Sequence, residues 1–314
     1  MTLKSIAFAN SKGGVGKTTL AVNLAVRAAM GHIPELDSSK RVLILDMDGQ
    51  QNTSSMFLKM ERIGDVAVKQ IPIHPEYDET LYEDWNGRSS STDIYYNNDV
   101  VPYPTVFDRL DILPANGDQL SLFMNMANSA DRDHLEEVTE HFKRFVLGED
   151  VAEEYDLMVF DTPPGVNFIT IPVFRACTHV IVPLTPEPMA LDGLSTVIGS
   201  IRHENEYRQE PVSLAGIVPN NIDSRLRMHK DNLQHLLASK ETADLLWSSG
   251  GLSSRVAFKL EDFPINPQSY IYKDAKAENE MSEFINEFRR RIYHSEDTAT
   301  FVNESDIPND AMRA

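Results

Sequence analysis

Ser11-Lys12-Gly13-Gly14-Val15-Gly16-Lys17-Thr18-Thr19 follows a short apolar run, Ile6-Ala7-Phe8-Ala9, and precedes an apolar-periodic run from Leu20 to Met30. The order reads as strand, glycine loop, helix. A phosphate-binding loop needs that order, because glycines let backbone N–H groups turn inward around phosphate oxygens and the helix N-terminus adds its positive end. In such a loop Lys17 reaches the outer phosphates and the Thr18 hydroxyl takes a place on Mg²⁺. The bland alternative is a glycine turn with two solvated lysines. The flanking strand and helix, and the segments that follow, argue against it.

The match to G-x-x-x-x-G-K-[ST] departs at one end. Ser11 stands where the first glycine belongs, and a second lysine, Lys12, directly precedes Gly13. This variant resembles the deviant Walker A loop of the ParA/MinD family of ATPases, whose signature is K-G-G-x-x-K-[ST]. The resemblance implies an α/β fold with a doubly wound, mostly parallel sheet flanked by helices on both faces. It also implies ATP and Mg²⁺ as cofactors, with Ser11 to Thr19 around the phosphates. In that family the early lysine reaches across a dimer interface to the partner's nucleotide, a role that falls here on Lys12.

Two further segments fit. Val42-Leu43-Ile44-Leu45 is a continuous apolar run of the sort a parallel sheet buries on both faces, and it ends in Asp46-Met47-Asp48-Gly49-Gln50-Gln51-Asn52-Thr53. Carboxylates at the carboxyl end of a parallel strand lie where doubly wound folds bind ligand. The run is similar to the family's D-x-D-P-Q-x-N segment, with Gly49 in place of proline, which loosens the turn. The resemblance implies that Asp48 orients the attacking water and that Asp46 sits nearer the Mg²⁺. Tyr155 to Phe160 is another buried strand, closed by Asp161-Thr162-Pro163-Pro164-Gly165. This resembles the family's D-T-P-P Walker B and second switch, so Asp161 is expected to hold Mg²⁺ through a water. After the strand Leu214 to Val218, Asn220 is the expected adenine contact. No N-K-x-D guanine motif occurs, which favours ATP over GTP.

Composition bounds the alternatives. The chain has 314 residues, 41% hydrophobic and 25% charged, which are globular values. No apolar run is long enough to span a bilayer, and the N-terminus leads straight into a strand, so no signal peptide is expected. One cysteine, Cys177, excludes an internal disulfide framework and points to a reducing compartment. It also removes the iron–sulfur relatives of this superfamily, which need two thiolates per subunit. No substrate-pocket constellation supports a small-molecule ligase on the same scaffold. A C-terminal tyrosine cluster, the mark of bacterial tyrosine kinases with this loop type, is absent.

The expected organisation is one P-loop ATPase domain over 1–293 and an acidic, disordered tail over 294–314. Helices are expected over 17–30, 131–147, 191–201, 225–240 and 278–293, with a short amphipathic helix at Thr80 to Trp85. Residues 32–39 read as an inserted surface loop, and 61–107 as the least informative stretch. The family reading is a positioning or partitioning switch for plasmid, chromosome or protein cargo. ATP makes the homodimer, the dimer binds nonspecific DNA, and a ParB-like or cargo-adaptor partner stimulates hydrolysis. That places the protein in the cytoplasm, on the nucleoid. Candidate DNA contacts are Arg225, Arg227, Lys230, Lys259, Lys273 and Lys276, against the bland reading of a solvated face. A formal net charge of −19 opposes nucleic-acid binding unless cations cluster locally. The alternatives are a regulatory ATPase that recruits a protein partner and a MinD-like membrane-associated ATPase. The membrane reading is disfavoured because the chain ends in an acidic, poorly amphipathic segment rather than a basic amphipathic helix.

Overall fold

A computed structural model of the chain describes residues 2–63, 68–81, 84–127, 132–187, 190–258 and 273–294. Its centre is a seven-stranded sheet. The strands are β1 (Lys4–Phe8), β2 (Arg41–Asp46), β5 (Tyr103–Pro104), β6 (Leu110–Leu113), β7 (Tyr155–Asp161), β8 (His179–Leu184) and β9 (Ser213–Pro219). They lie in the order β5-β6-β2-β7-β1-β8-β9. All neighbours are parallel except the two-residue edge strand β5, which runs antiparallel to β6. Pro104 on that edge withholds a backbone donor where no further strand pairs. A separate hairpin joins β3 (Glu61–Ile63) to β4 (Val68–Gln70).

The continuous apolar runs have a simple cause. Side chains alternate between the faces of a strand, and both faces here are covered. Ile6, Phe8, Val42, Ile44, Leu157 and Val159 pack with helices α1 (Lys17–Ala29) and α9 (Ala275–Tyr293). Ala7, Leu43, Leu45, Met158, Phe160 and Val180 face the other core. That core is built from α3 (Gly117–Ala127), α4 (Arg132–Val146), α6 (Thr170–Ala176) and α7 (Ala190–Asn205). Within it Tyr95 stacks on Phe123 and Phe142. The expected doubly wound architecture is therefore the observed one.

Buried ion pairs fix the layers. Arg27 on α1, wholly buried, donates to both oxygens of Glu278 on α9, at 2.7 and 2.6 Å. The Asp274 carboxylate caps α9 by accepting from the Lys276 and Ala277 amides. The 32–39 insertion, expected as a plain surface loop, is pinned. Ile33 is buried, the Asp37 amide donates to Asp156, and Glu35 accepts from Arg289 and pairs with His294 at the end of α9.

Two expectations need correction. No helix forms at Thr80–Trp85 among the described residues. Asp78 instead turns the chain by accepting from the Thr80 amide and hydroxyl, and Leu81 is exposed. Short helices were also missed: α2 (Asn52–Phe57), α3, α5 (Glu149–Glu154) and α6. The aromatic cluster of the 61–107 stretch does pack. Tyr95 and Tyr103 are buried, while Tyr96 stays half-exposed. The acidic tail beyond His294 and candidate Lys259 lie outside the described residues.

Candidate nucleotide site

Strand register brings the three motifs level. Phe8 on β1 and Asp46 on β2 both pair with Asp161 on β7, so the strands end together at one rim. The glycine loop springs from that rim into α1. Gly14 and Gly16 hold φ of 75° and 92°, and a Cβ on Gly16 would lie 1.8 Å from the Asn220 amide nitrogen. The loop is anchored from several sides. Asn10 donates to the Pro183 carbonyl and accepts from the Lys12 amide. Asn220 and Asn221 donate to the Val15 and Gly14 carbonyls, at 2.8 and 3.2 Å. Asn220, the residue expected at the adenine, clamps the loop.

A cavity of about 740 Å³ opens over this rim. Its wall includes Gly13, Gly16, Lys17, Thr18 and Thr19 from the loop, Asp48 from the end of β2, and Asn220. The size is that of a pocket for a cofactor-sized ligand. A larger cavity, about 890 Å³, lies over Asp84, Trp85 and Arg88 and holds none of the three motifs.

Charge in the rim is unbalanced in a telling way. Lys17 is buried and its ammonium lies 3.4 Å from the Lys12 carbonyl. Burial lowers its pKa, while Asp161 and Asp48 pull it back up. Asp46 and Asp161 are both fully buried, and desolvation raises both carboxyls, Asp46 further through the neighbouring Asp161 charge. Hydroxyls of Thr53 and Thr18 and the Lys17 charge work against that rise at Asp161. Asp161 Oδ2 accepts from Thr53 Oγ1 at 2.6 Å, and its Oδ1 is buried with no hydrogen-bond partner among the described residues. Two dry carboxylates, one with an orphaned oxygen, beside the Thr18 hydroxyl fit a hard cation with oxygen ligands. No cluster of three or more acidic, His or Cys side chains is present among the described residues, so phosphate oxygens and waters would have to complete its shell.

The other expected residues are placed as follows. Asp48 is half-buried on the cavity wall, with Oδ1 accepting from the Gln50 amide. Asp46 stands level with Asp161; its Oδ1 accepts from the Asp48 amide and its Oδ2 from the Ser54 amide and hydroxyl, so it holds the loop and α2, and neither it nor Asp161 is among the residues lining the cavity. Lys12 is half-exposed, and its ammonium pairs with Glu187 just past β8. Arg225 and Arg227 are highly exposed at the start of α8 (Arg227–Ala238), bonded to Asp223 and Asp231. Lys230, Lys273 and Lys276 are exposed as well. The α8 and α9 starts are joined through the 253–255 segment. Ser254 donates to the Ile222 carbonyl, and Arg255 pairs with Asp274 and Glu280. Arg225, Arg227 and Lys230 thus follow the rim end of β9 in sequence, and Lys273 and Lys276 flank Asp274, which pairs with Arg255 of the cavity wall.

Glu187, Thr53 and Ser54 were missed from the sequence. Glu187 comes three residues after β8, and Thr53 and Ser54 come seven and eight residues after β2, and nearness to strand ends placed at the rim was the available signal.

A family model described as an AAA domain matches residues 3–213. A ParA family protein of Mycoplasma pneumoniae is 26% identical over 295 residues, covering 92% of this chain and 98% of the relative. A chromosome-partitioning ATPase, Soj, of Treponema pallidum is 25% identical over 228 residues, covering 73% and 75%. Among solved structures, pNOB8 ParA bound to nonspecific DNA superposes with a TM-score of 0.61 at 18% identity, over 93% of this chain and 99% of that one. No helix among the described residues is long and apolar enough to cross a membrane. With the loop, the two aspartate-bearing strand ends and the family match in agreement, the chain belongs to the ParA/MinD family of P-loop ATPases as a ParA-like member.

Proposed function

We propose that this protein is an ATP-dependent dimerising switch that hydrolyses ATP and, as the ATP dimer, binds nonspecific DNA to position or partition a cargo. The observation that carries the reading is the convergence of three sequence-distant motifs on one cavity. The glycine loop, Asp48 and Pro164 line it from the ends of β1, β2 and β7, and the strand register sets Asp161, three residues before Pro164, level with Phe8 and Asp46.

The chemistry is phosphoryl transfer to water, in which catalysis is mostly positioning and positive charge. Loop amides and Lys17 would cradle the phosphates. Thr18 and Asp161 would hold Mg²⁺, which when bound neutralises charge on the phosphate oxygens. Asp48 would orient the water from the cavity wall. Lys12 would be supplied in trans to a second copy. The relatives support the output. One is a chromosome-partitioning ATPase, and a structural neighbour is a ParA bound to nonspecific DNA. The exposed cations about the starts of α8 and α9 would offer a surface to phosphate, which supports DNA over a purely protein partner. A hydrolysis-stimulating partner and a nucleoid location in the cytoplasm follow from the same reading. The 1–293 span would act as one ATPase unit.

The test is nonspecific duplex titrated onto an Asp48→Ala protein trapped with ATP, and again with ADP, at two salt concentrations. Binding with ATP alone, weakened by salt, is the expected result. Intact ATP-dependent dimers that bind no DNA would overturn the DNA output and leave the ATPase standing.

A further inference from the structure

The first turn of α2 grips both buried carboxylates of the rim. Thr53 Oγ1 donates to Asp161 Oδ2 at 2.6 Å. The next residue, Ser54, donates its hydroxyl and amide to Asp46 Oδ2 at 2.7 and 2.8 Å. The Ser54 hydroxyl in turn accepts from the Ala115 amide past β6, at 2.9 Å. Thr53 and Ser54 are wholly buried. Neither touches the nucleotide cavity.

We infer that Thr53 is a positioning residue for the magnesium-binding carboxylate. The inference rests on the nucleotide reading above. A carboxylate turns about its last side-chain bond, and in a dry site nothing but a neighbour fixes the plane. Here the hydroxyl takes Oδ2 and leaves Oδ1 as the oxygen that no protein group satisfies. A threonine hydroxyl has one proton, and donating it to Oδ2 fixes which oxygen of the carboxylate is taken. Residues that orient a metal carboxylate in this way are as much a part of the site as the ligand itself.

The placement also joins the water-orienting loop to the metal side. Gln51 caps α2 in the left-handed region, at φ 56°, and its amide donates to the Asp48 carbonyl at 2.9 Å. Its side-chain amide donates to the Ala115 carbonyl at 2.8 Å. Asp48 and Thr53 thus stand on one rigid turn, five residues apart.

The experiment titrates Mg²⁺ onto protein pre-mixed with a fluorescent N-methylanthraniloyl ATP, for wild type, Thr53→Val and Thr53→Ser. Valine keeps the shape and removes the donor. The Mg²⁺ half-point should rise about tenfold or more in Thr53→Val, the scale on which such outer partners act. Nucleotide binding without Mg²⁺ should hold, because Thr53 is off the phosphate path. Thr53→Ser should restore the half-point to near wild type. If Thr53→Val does not fold, Thr53→Ala is set against Thr53→Ser in its place. A donor-less variant that titrates Mg²⁺ as wild type does, or a serine variant as weak as it, overturns the inference. Wild-type protein with no Mg²⁺-dependent nucleotide binding overturns the nucleotide reading itself, a different result.

Discussion

Lys12→Ala separates a loop lysine from a trans-acting one. Within the protomer the Lys12 ammonium pairs with Glu187, at side-chain exposures of 40% and 43%. An ion pair that open to water contributes about 0.2–1 kcal/mol. A cation delivered across an interface to a transferring phosphoryl group is worth about a thousandfold in rate or more, or about 4 kcal/mol. Breaking the internal pair therefore subtracts at most about a quarter of what the trans contact supplies, and Lys12 is free to leave Glu187 when a second protomer brings its phosphates. Lys12→Ala should shift Tm by no more than about 3 °C. ADP affinity should hold, while ATP-dependent dimerisation is lost and turnover falls about a thousandfold. Glu187→Gln should keep both. Sedimentation with ATP and with ADP, and single-turnover hydrolysis, read these outcomes. A Lys12→Ala protein that dimerises with ATP and hydrolyses it at the wild-type rate would refute the trans-lysine argument.

Two more substitutions probe the loop and the pinned insertion. Gly16→Ala forces a side chain into φ 92° and against Asn220. Left-handed backbone costs alanine about 1 kcal/mol before the clash, so ATP-analogue affinity should fall about tenfold, and unchanged affinity would show that the Asn220 clamp is dispensable. The hydrogen bond from Arg289, aided by His294, holds the Glu35 carboxyl down to about 2 from an ordinary 4.5. A depressed folded-state pKa gives stability that is present above the unfolded value and is lost as pH falls from about 4.5 toward 2. Melting curves should show Glu35→Gln less stable than wild type at pH 6, with the gap narrowed by about half at pH 3 and closing only as pH falls to about 2. A constant gap would rule out this linkage.

Much of this molecule was readable because its chemistry is also its sheet grammar. Strands buried on both faces show as unbroken apolar runs, and the runs ending at Ala9, Leu45 and Phe160 deliver the loop and the carboxylates together. What was hidden is polar or short. Asn52-Thr53-Ser54-Ser55 has no apolar periodicity and poor helix formers, yet it makes the α2 turn that seats Asp46 and Asp161. The Thr80 to Trp85 run carried the periodicity, yet its described residues form no helix, and Asp78 takes the Thr80 donors for a turn. The Gly49 substitution suggested a loose switch. The turn is instead closed by the Gln51 amide on the Asp48 carbonyl, and a Cβ on Gly49 would meet nothing closer than 3.7 Å. Glu187 sits between two prolines, where no periodic signal survives, and only the fold brings it to Lys12.

The chain's acidity and its proposed DNA output are reconciled by counting cations where they stand. Arg225 and Arg227 are each shared with an aspartate, and Lys259 lies outside the described residues. Lys230, Lys273 and Lys276 remain as exposed cations at the starts of α8 and α9. If each meets one phosphate, the slope of log affinity against log salt is about −2.7 for one protomer and about −5.4 for a dimer that pools two patches. From 50 to 200 mM salt, affinity then falls about 40-fold for the monomer and about 2,000-fold for the dimer. A net charge of −19 lowers both affinities and leaves their slopes apart. On the proposed switch, an acidic chain with one small patch would hold DNA weakly, and pooling two patches in the ATP dimer would strengthen the hold. Equal slopes with ATP and with ADP would mean that dimerisation adds no phosphate contacts, and the pooled-patch account would fail.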